Sequence, residues 1–114
     1  MPEPGDVVVI NFPGAQGSKK RPAVIVSSSD YHAQRPDAIL GLLTTNIAVS
    51  TRSTDYILQD WSVAGLSQPS AFRSFLVTLP KRHILSEVGR LSDRDWEQVQ
   101  NRLVVALAVP ESQG

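Results

Sequence analysis

The side chains with chemical potential in this sequence are cations and hydroxyls set beside apolar runs. Lys19, Lys20 and Arg21 stand directly in front of Pro22 and the run Ala23-Val24-Ile25-Val26, which reads as a buried strand. Thr44 and Thr45 close a second apolar run, AILGLLTTN (38–46), and Ser70 and Arg73 stand in PSAFR, at the head of a third. A cleft lined with guanidinium and hydroxyl groups suits a phosphate, because the guanidinium is a planar, permanently charged fork that matches phosphate oxygens. Each residue also has an ordinary reading. A cation before a strand is commonly solvated, and threonines are good strand formers. A serine after proline is a turn residue, and a strand arginine can be an edge charge that discourages aggregation.

Other chemistries find little support. The chain has no cysteine, which removes disulfides, thiolate metal sites and thiol catalysis together. His32 and His83 are far apart, and neither has a ligand at metal spacing, so no metal or other cofactor is expected. No phosphate-binding glycine loop, zincin helix or serine elbow occurs. Lys plus Arg and Asp plus Glu number 11 each, so no global field draws in nucleic acid. The cations are nevertheless grouped: Lys19, Lys20 and Arg21 in one segment, and Arg73, Lys81, Arg82 and Arg90 in another. A fold that joins those segments would have a local positive face, and local potential is what a phosphate partner feels.

The elements that must position these groups follow from pattern and punctuation. A length of 114 residues with 41% hydrophobic side chains fits one domain with a real core. The longest apolar stretch, LVVALAV (103–109), is far short of the ~20 residues that span a bilayer, and MPEPGDVVVIN lacks the features of a signal peptide. A soluble, cytoplasmic protein is the expectation. VVVINF (7–12), rich in β-branched residues and ended by Pro13-Gly14, predicts a strand, and GAQGS a turn or loop. The residue before a proline is pushed out of the helical region, so Arg21 should sit extended at the start of the second strand. SSSDYHAQRPD predicts a helical turn or a loop, and AILGLLTTN the third strand. DYILQDW (55–61) predicts a fourth strand, AFRSFLVTL (71–79) one or two more interrupted at Pro80, and PKRHILSEVG a short strand or turn.

The C-terminal segment reads as a helix. Ser92 is a good N-cap with Asp95 as its capping-box partner, and Leu91 and Trp96 fit a hydrophobic staple. Trp96, Val99, Leu103, Ala106 and Leu107 share one face, and Pro110 is the stop. Many short strands before one amphipathic helix predict a mainly β domain. It would be a small curled barrel over about residues 5–85, with a helix over about 92–108 packed on it.

The order of segments adds a resemblance. GDVVVINFPG, GSKKRPAVIVSSSDYH, LGLLTTNI and AGLSQPSAFRSFLVTL, in that order, resemble the PemK/MazF family of toxin endoribonucleases, and the later G-L-x-x-P-S-x-x-R resembles its PemK-type branch. The agreement runs from Gly5 to the last helix. What the resemblance implies is an SH3-like barrel with a C-terminal helix, forming a homodimer. Its members cut single-stranded RNA without metal, often at short specific sequences, and are silenced by a cognate antitoxin. The ribose 2′-hydroxyl attacks the neighbouring phosphate and leaves 2′,3′-cyclic phosphate and 5′-hydroxyl ends, so the substrate must be RNA. The family's catalytic arginine falls on Arg21 beside Pro22, its strand-ending threonine on Thr44 with Thr45 next to it, and a second phosphate cation on Arg73. Ser70 matches the P-S of the motif as a substrate contact, and Lys19 and Lys20 would hold the RNA backbone. Some relatives carry an acid two residues after the Arg73 position; Phe75 stands here. Two alternatives share the fold: a CcdB-like toxin that poisons DNA gyrase, and a catalytically weak member that binds RNA or antitoxin.

Overall fold

The computed structural model describes residues 2–14, 17–50 and 52–110. Strand β1 (Asp6–Gly14) pairs antiparallel with β2 (Gly17–Ile25), and β2 pairs with β3 (Asp37–Thr44). Strand β3 pairs with β5 (Ala71–Pro80), which also carries the two-residue strand β4 (Tyr56–Ile57). Strand β6 (Ile84–Arg90) returns to the free side of β1, giving the antiparallel order β4-β5-β3-β2-β1-β6. The sheet curls into the small barrel expected from the sequence.

Both faces of the sheet are buried where Val7–Ile10, Ala23–Ile25 and β3 pair, which explains why those stretches are apolar almost without alternation. One face gathers Val7, Val24, Leu43, Phe72 and Tyr56 under helix α2 (Asp93–Ala106), whose Val99 is fully buried there beside Leu91. The other encloses Val8, Ile10, Ala23, Ile25, Ala38, Leu40 and Leu42 inside the curl, capped by Phe12, Val77, Leu79 and Ile84. Gly41 serves the first of these faces: a Cβ there would collide with the Phe72 ring, so only glycine allows that aromatic to pack so close to β3. Gly5, with φ of 91°, lies against the Trp96 indole, while its N–H donates to the Ile25 carbonyl and its carbonyl accepts from Leu91.

The helices follow their caps. Ser28 caps α1 (Ser29–Gln34), where the sequence left a choice between a helical turn and a loop. Ser92 caps α2 by accepting from the Asp95 N–H at 3.1 Å. The Asp95 carboxylate does not complete the reciprocal capping box. It is fully buried and accepts from Tyr56 Oη at 2.7 Å and from the backbone N–H groups of Gln59 at 3.1 Å and Asp60 at 2.8 Å. Burial, and the hydrogen bond to Asp95, push the Tyr56 phenol above its ordinary pKa of 10.0. Asp95 thus ties α2 to the segment after β4. The helix ends at Ala106, four residues before Pro110, and Leu107, placed on the core face by its spacing, is exposed.

Several strand boundaries differ from the sequence reading: β1 runs through Pro13 to Gly14, and β3 ends at Thr44. Strand β2 starts at Gly17, so Arg21 is a mid-strand residue opposite Ile10; the polar Gly-Ser-Lys-Lys segment is held by pairing with β1. DYILQDW keeps only Tyr56 and Ile57 as strand, because the chain then turns to meet Asp95. Strand β5 runs unbroken to Pro80, where a missing N–H costs nothing at a strand end. Ala15 and Gln16, in the predicted turn, lie outside the described residues.

Candidate phosphate-binding site

The β1–β2 hairpin decides which cations can act together. Residues directly opposite in an antiparallel pair share a face. Phe12 faces Lys19 and Ile10 faces Arg21, so Lys19 and Arg21 emerge on the side of Ala23 and Ile25. Lys20 and Pro22, opposite Asn11 and Val9, emerge on the other side. The β2–β3 ladder ends at Ala23↔Leu42. Two residues further along each strand stand Arg21 and Thr44, on the same face as that pair.

Strand β5 supplies the second cation through an irregularity. Gly41 pairs with Leu76 and Leu43 with Phe72, so Leu42 alone spans the three residues Arg73, Ser74 and Phe75. Ser74 takes φ of 50°, a left-handed conformation that a serine adopts only when held. It is held by its own hydroxyl, which donates to the Thr54 carbonyl at 2.7 Å. Arg73 and Phe75, on either side of it, are pushed outward and exposed.

These elements enclose a hollow of about 160 Å³ lined by Phe12, Arg21, Leu42, Leu43, Arg73 and Phe75. Two arginines from distant parts of the chain therefore meet over an apolar floor. Neither makes a salt bridge to a described residue; the three ion pairs among those are Arg35–Asp37, Arg90–Asp6 and Arg94–Asp60, all elsewhere. No carboxylate lines the hollow. Cations without a partner over apolar walls favour an anion, and the planar forks favour one with several oxygens.

Thr44 sits one residue past Leu43 on the floor strand. Its Oγ1 accepts from the Asn46 N–H at 3.1 Å, which fixes the oxygen and leaves the hydroxyl proton to donate elsewhere. Thr45 is exposed beyond the strand end, with its carbonyl accepting from Ile47. Ser70 is not brought to the hollow: it is buried, and its hydroxyl donates to the Gln68 carbonyl at 2.9 Å. The structure thus groups Arg21 and Arg73, with Thr44 and Lys19 on the same face, and leaves Lys20, Pro22 and Ser70 apart. Sequence reasoning gave no role to Phe12 or Phe75, whose rings meet edge-to-face with centroids 6.2 Å apart. The signal available was a phenylalanine two residues after Arg73.

His32 is half-buried at the start of a second polar cluster. Its Nε2 meets the Ser27 hydroxyl, which also accepts from the Ile39 N–H at 3.0 Å, while the His32 carbonyl accepts from Lys81 Nζ at 2.9 Å. Burial, and then the Lys81 charge, hold its pKa below the ordinary 6.5. Both influences favour the neutral imidazole, whose contacts serve the fold. Among the described residues no three His, Cys, Asp or Glu side chains gather as metal ligands, and no helix is long and apolar enough to cross a membrane.

Comparison with known proteins puts this chain in a family. Solved structures share the fold at low identity. One is an endoribonuclease in complex with its cognate antitoxin from a mycobacterial species, with TM-score 0.78, 21% identity, and 98% of this chain and 100% of that one covered. The Mycobacterium tuberculosis toxin MazF-mt6 superposes with TM-score 0.76 at 18% identity, covering 93% of this chain and 99% of its own. A chain of a MazE–MazF crystal structure from Deinococcus radiodurans gives TM-score 0.76 at 16% identity, covering 96% of this chain and 98% of that one. Comparison with curated protein sequences finds no match. The family model for the PemK-like, MazF-like toxin of type II toxin-antitoxin systems matches residues 3–107, nearly the whole chain. The protein with paired arginines over an apolar floor therefore belongs to the PemK-like, MazF-like toxin family.

Proposed function

We propose that this chain is the toxin of a type II toxin-antitoxin pair and acts as a metal-independent endoribonuclease on single-stranded RNA. The observation that carries the reading is the meeting of Arg21 and Arg73, neither paired with a described carboxylate, in one hollow beside the Thr44 strand. The reaction begins when a ribose 2′-hydroxyl attacks the adjacent phosphorus. The P–O5′ bond breaks as the P–O2′ bond forms, which gives a 2′,3′-cyclic phosphate on one product and a 5′-hydroxyl on the other.

Negative charge grows on the non-bridging oxygens as the phosphorus becomes five-coordinate. Arg21 and Arg73 stabilise that charge, and removing one such preorganised donor is worth about two to three orders of magnitude in rate. A guanidinium is a poor proton donor at neutral pH, so electrostatic stabilisation is its role rather than acid catalysis. The Thr44 hydroxyl, its oxygen fixed by Asn46, donates to the scissile phosphate or orients the 2′-hydroxyl. Lys19, on the Arg21 face, holds the next phosphate of the strand. Family membership supports two further parts of the reading, a homodimer and a cognate antitoxin that covers the cationic face.

The test is cleavage of a long single-stranded RNA in EDTA with the product ends identified. Cyclic phosphate and 5′-hydroxyl ends are expected. Intact RNA, or 5′-phosphate ends, would overturn the reading, and intact RNA together with gyrase inhibition would favour the CcdB-like alternative. Sedimentation at micromolar concentration checks the dimer.

A further inference from the structure

We propose that Phe75 is a nucleobase platform, on which the base next to the scissile phosphate stacks. The inference rests on the nuclease reading for its substrate class and adds a recognition element to the same site.

Phe75 is half exposed at 50%, an unusual position for a phenylalanine on a strand that otherwise feeds the core. It is not loose there. The bulge that carries it is anchored by the Ser74 hydroxyl, at the cost of a left-handed serine, and Phe12 packs against it with an interplanar angle of 77°. In an edge-to-face pair each ring uses at most one of its two faces on the other. Phe75 therefore keeps at least one broad face that Phe12 does not cover, whichever ring supplies the edge.

The surroundings select what would lie on that face. Arg21 and Arg73 line the same hollow, and Arg73 is separated from Phe75 only by Ser74. A lipid chain or apolar peptide would gain nothing from two guanidiniums with no described carboxylate partner. An inorganic anion would gain nothing from an exposed ring. A nucleotide of an unpaired strand uses both: the phosphate on the cations and the base on the ring, which is how aromatic and cationic groups combine on single-stranded nucleic acid. Stacking on a π face tolerates any base, so Phe75 would grip the strand next to the cut without dictating which base is there.

The test uses binding, so it stands apart from cleavage. A 2′-O-methyl RNA decamer, which has no nucleophile, is titrated in a series with one abasic position moved along the strand. Anisotropy is read for the wild type, Phe75→Leu, Phe75→Trp and Arg21→Ala. Leucine keeps apolar bulk but has no π face. At one position, base removal should weaken wild-type binding about tenfold, the scale of one stacked base, and leave Phe75→Leu within twofold of its own full-length affinity. Phe75→Trp should keep the wild-type pattern. Phe75→Leu that binds like the wild type while Arg21→Ala binds weakly would overturn the platform and leave the phosphate site standing. Phe75-dependent loss at one position in a protein that cleaves no RNA would support the platform and overturn the nuclease. A wild type that binds no decamer would overturn both.

Discussion

Replacing Arg21 by alanine should lower RNA cleavage by two to three orders of magnitude without unfolding the protein. At about 4 Å from a phosphate oxygen, a unit charge contributes about 1 kcal/mol in bulk water and about 4 kcal/mol at the effective dielectric of a protein surface. Arg21 is exposed, yet it stands over an apolar floor of Leu42 and Leu43 and against Phe12, so part of its field runs through low-dielectric material. A value of about 3–4 kcal/mol for charge that develops in the transition state corresponds to about a hundredfold to a thousandfold in rate. The fold should not notice, because the guanidinium makes no hydrogen bond to another described residue and the core beneath it is Ile10 and Ala23. The assay is single-turnover cleavage of a fluorogenic single-stranded RNA in EDTA, with thermal melting in parallel. Arg21→Lys should fall between, since it keeps the charge and loses the planar fork. With Arg73 in the same hollow, the double variant should lose less than the product of the two single losses. A loss below threefold for Arg21→Ala, in a variant that melts like the wild type, would remove this residue from the chemistry.

Thr44→Val keeps shape and β preference but removes the hydroxyl; a hydrogen bond to a charged group is worth about 1.5–3 kcal/mol, so cleavage should fall about tenfold to a hundredfold in the same assay. Tyr56→Phe withdraws one donor from the buried Asp95 carboxylate and should cost about 1–3 kcal/mol in urea unfolding, with RNA cleavage little changed at temperatures where the protein is folded. His32 is held neutral below its ordinary pKa of 6.5, so the unfolded chain takes up the proton first as pH falls. Stability should therefore decline as pH drops through 6.5 toward the lower folded value, and be flat in that respect above 6.5. His32→Gln should remove that slope, measured as the urea midpoint against pH; an unchanged slope would contradict the assignment.

The parts of this architecture that local chemistry dictates were readable from the chain. VVVINF, PAVIV and AILGLL are strands because β-branched and aliphatic residues run without interruption in a sheet buried on both sides. Ser92 caps its helix as its type and position require. What escaped is set by distant partners. Gly17 to Lys20 look like a loop and become strand only because β1 extends to Gly14 beside them. Asp95 looks like half of a capping box and is instead claimed by Tyr56, Gln59 and Asp60. Arg21 and Arg73 were both singled out as phosphate ligands, but their shared hollow depends on a register shift at Leu42 that no spacing reveals. Ser70, matched by motif to a substrate contact, is turned inward because its hydroxyl closes a turn with Gln68.

The three-for-one mismatch between β5 and Leu42 has a consequence for how such a molecule can diverge. On both sides of it the strands are back in step, at Gly41↔Leu76 and Leu43↔Phe72, with the Phe72 ring sealed against Gly41. Replacements at positions 73 and 75 therefore reshape what the hollow will accept while the barrel beneath keeps its alignment. New substrate preferences could arise there, one side chain at a time, on an unaltered scaffold.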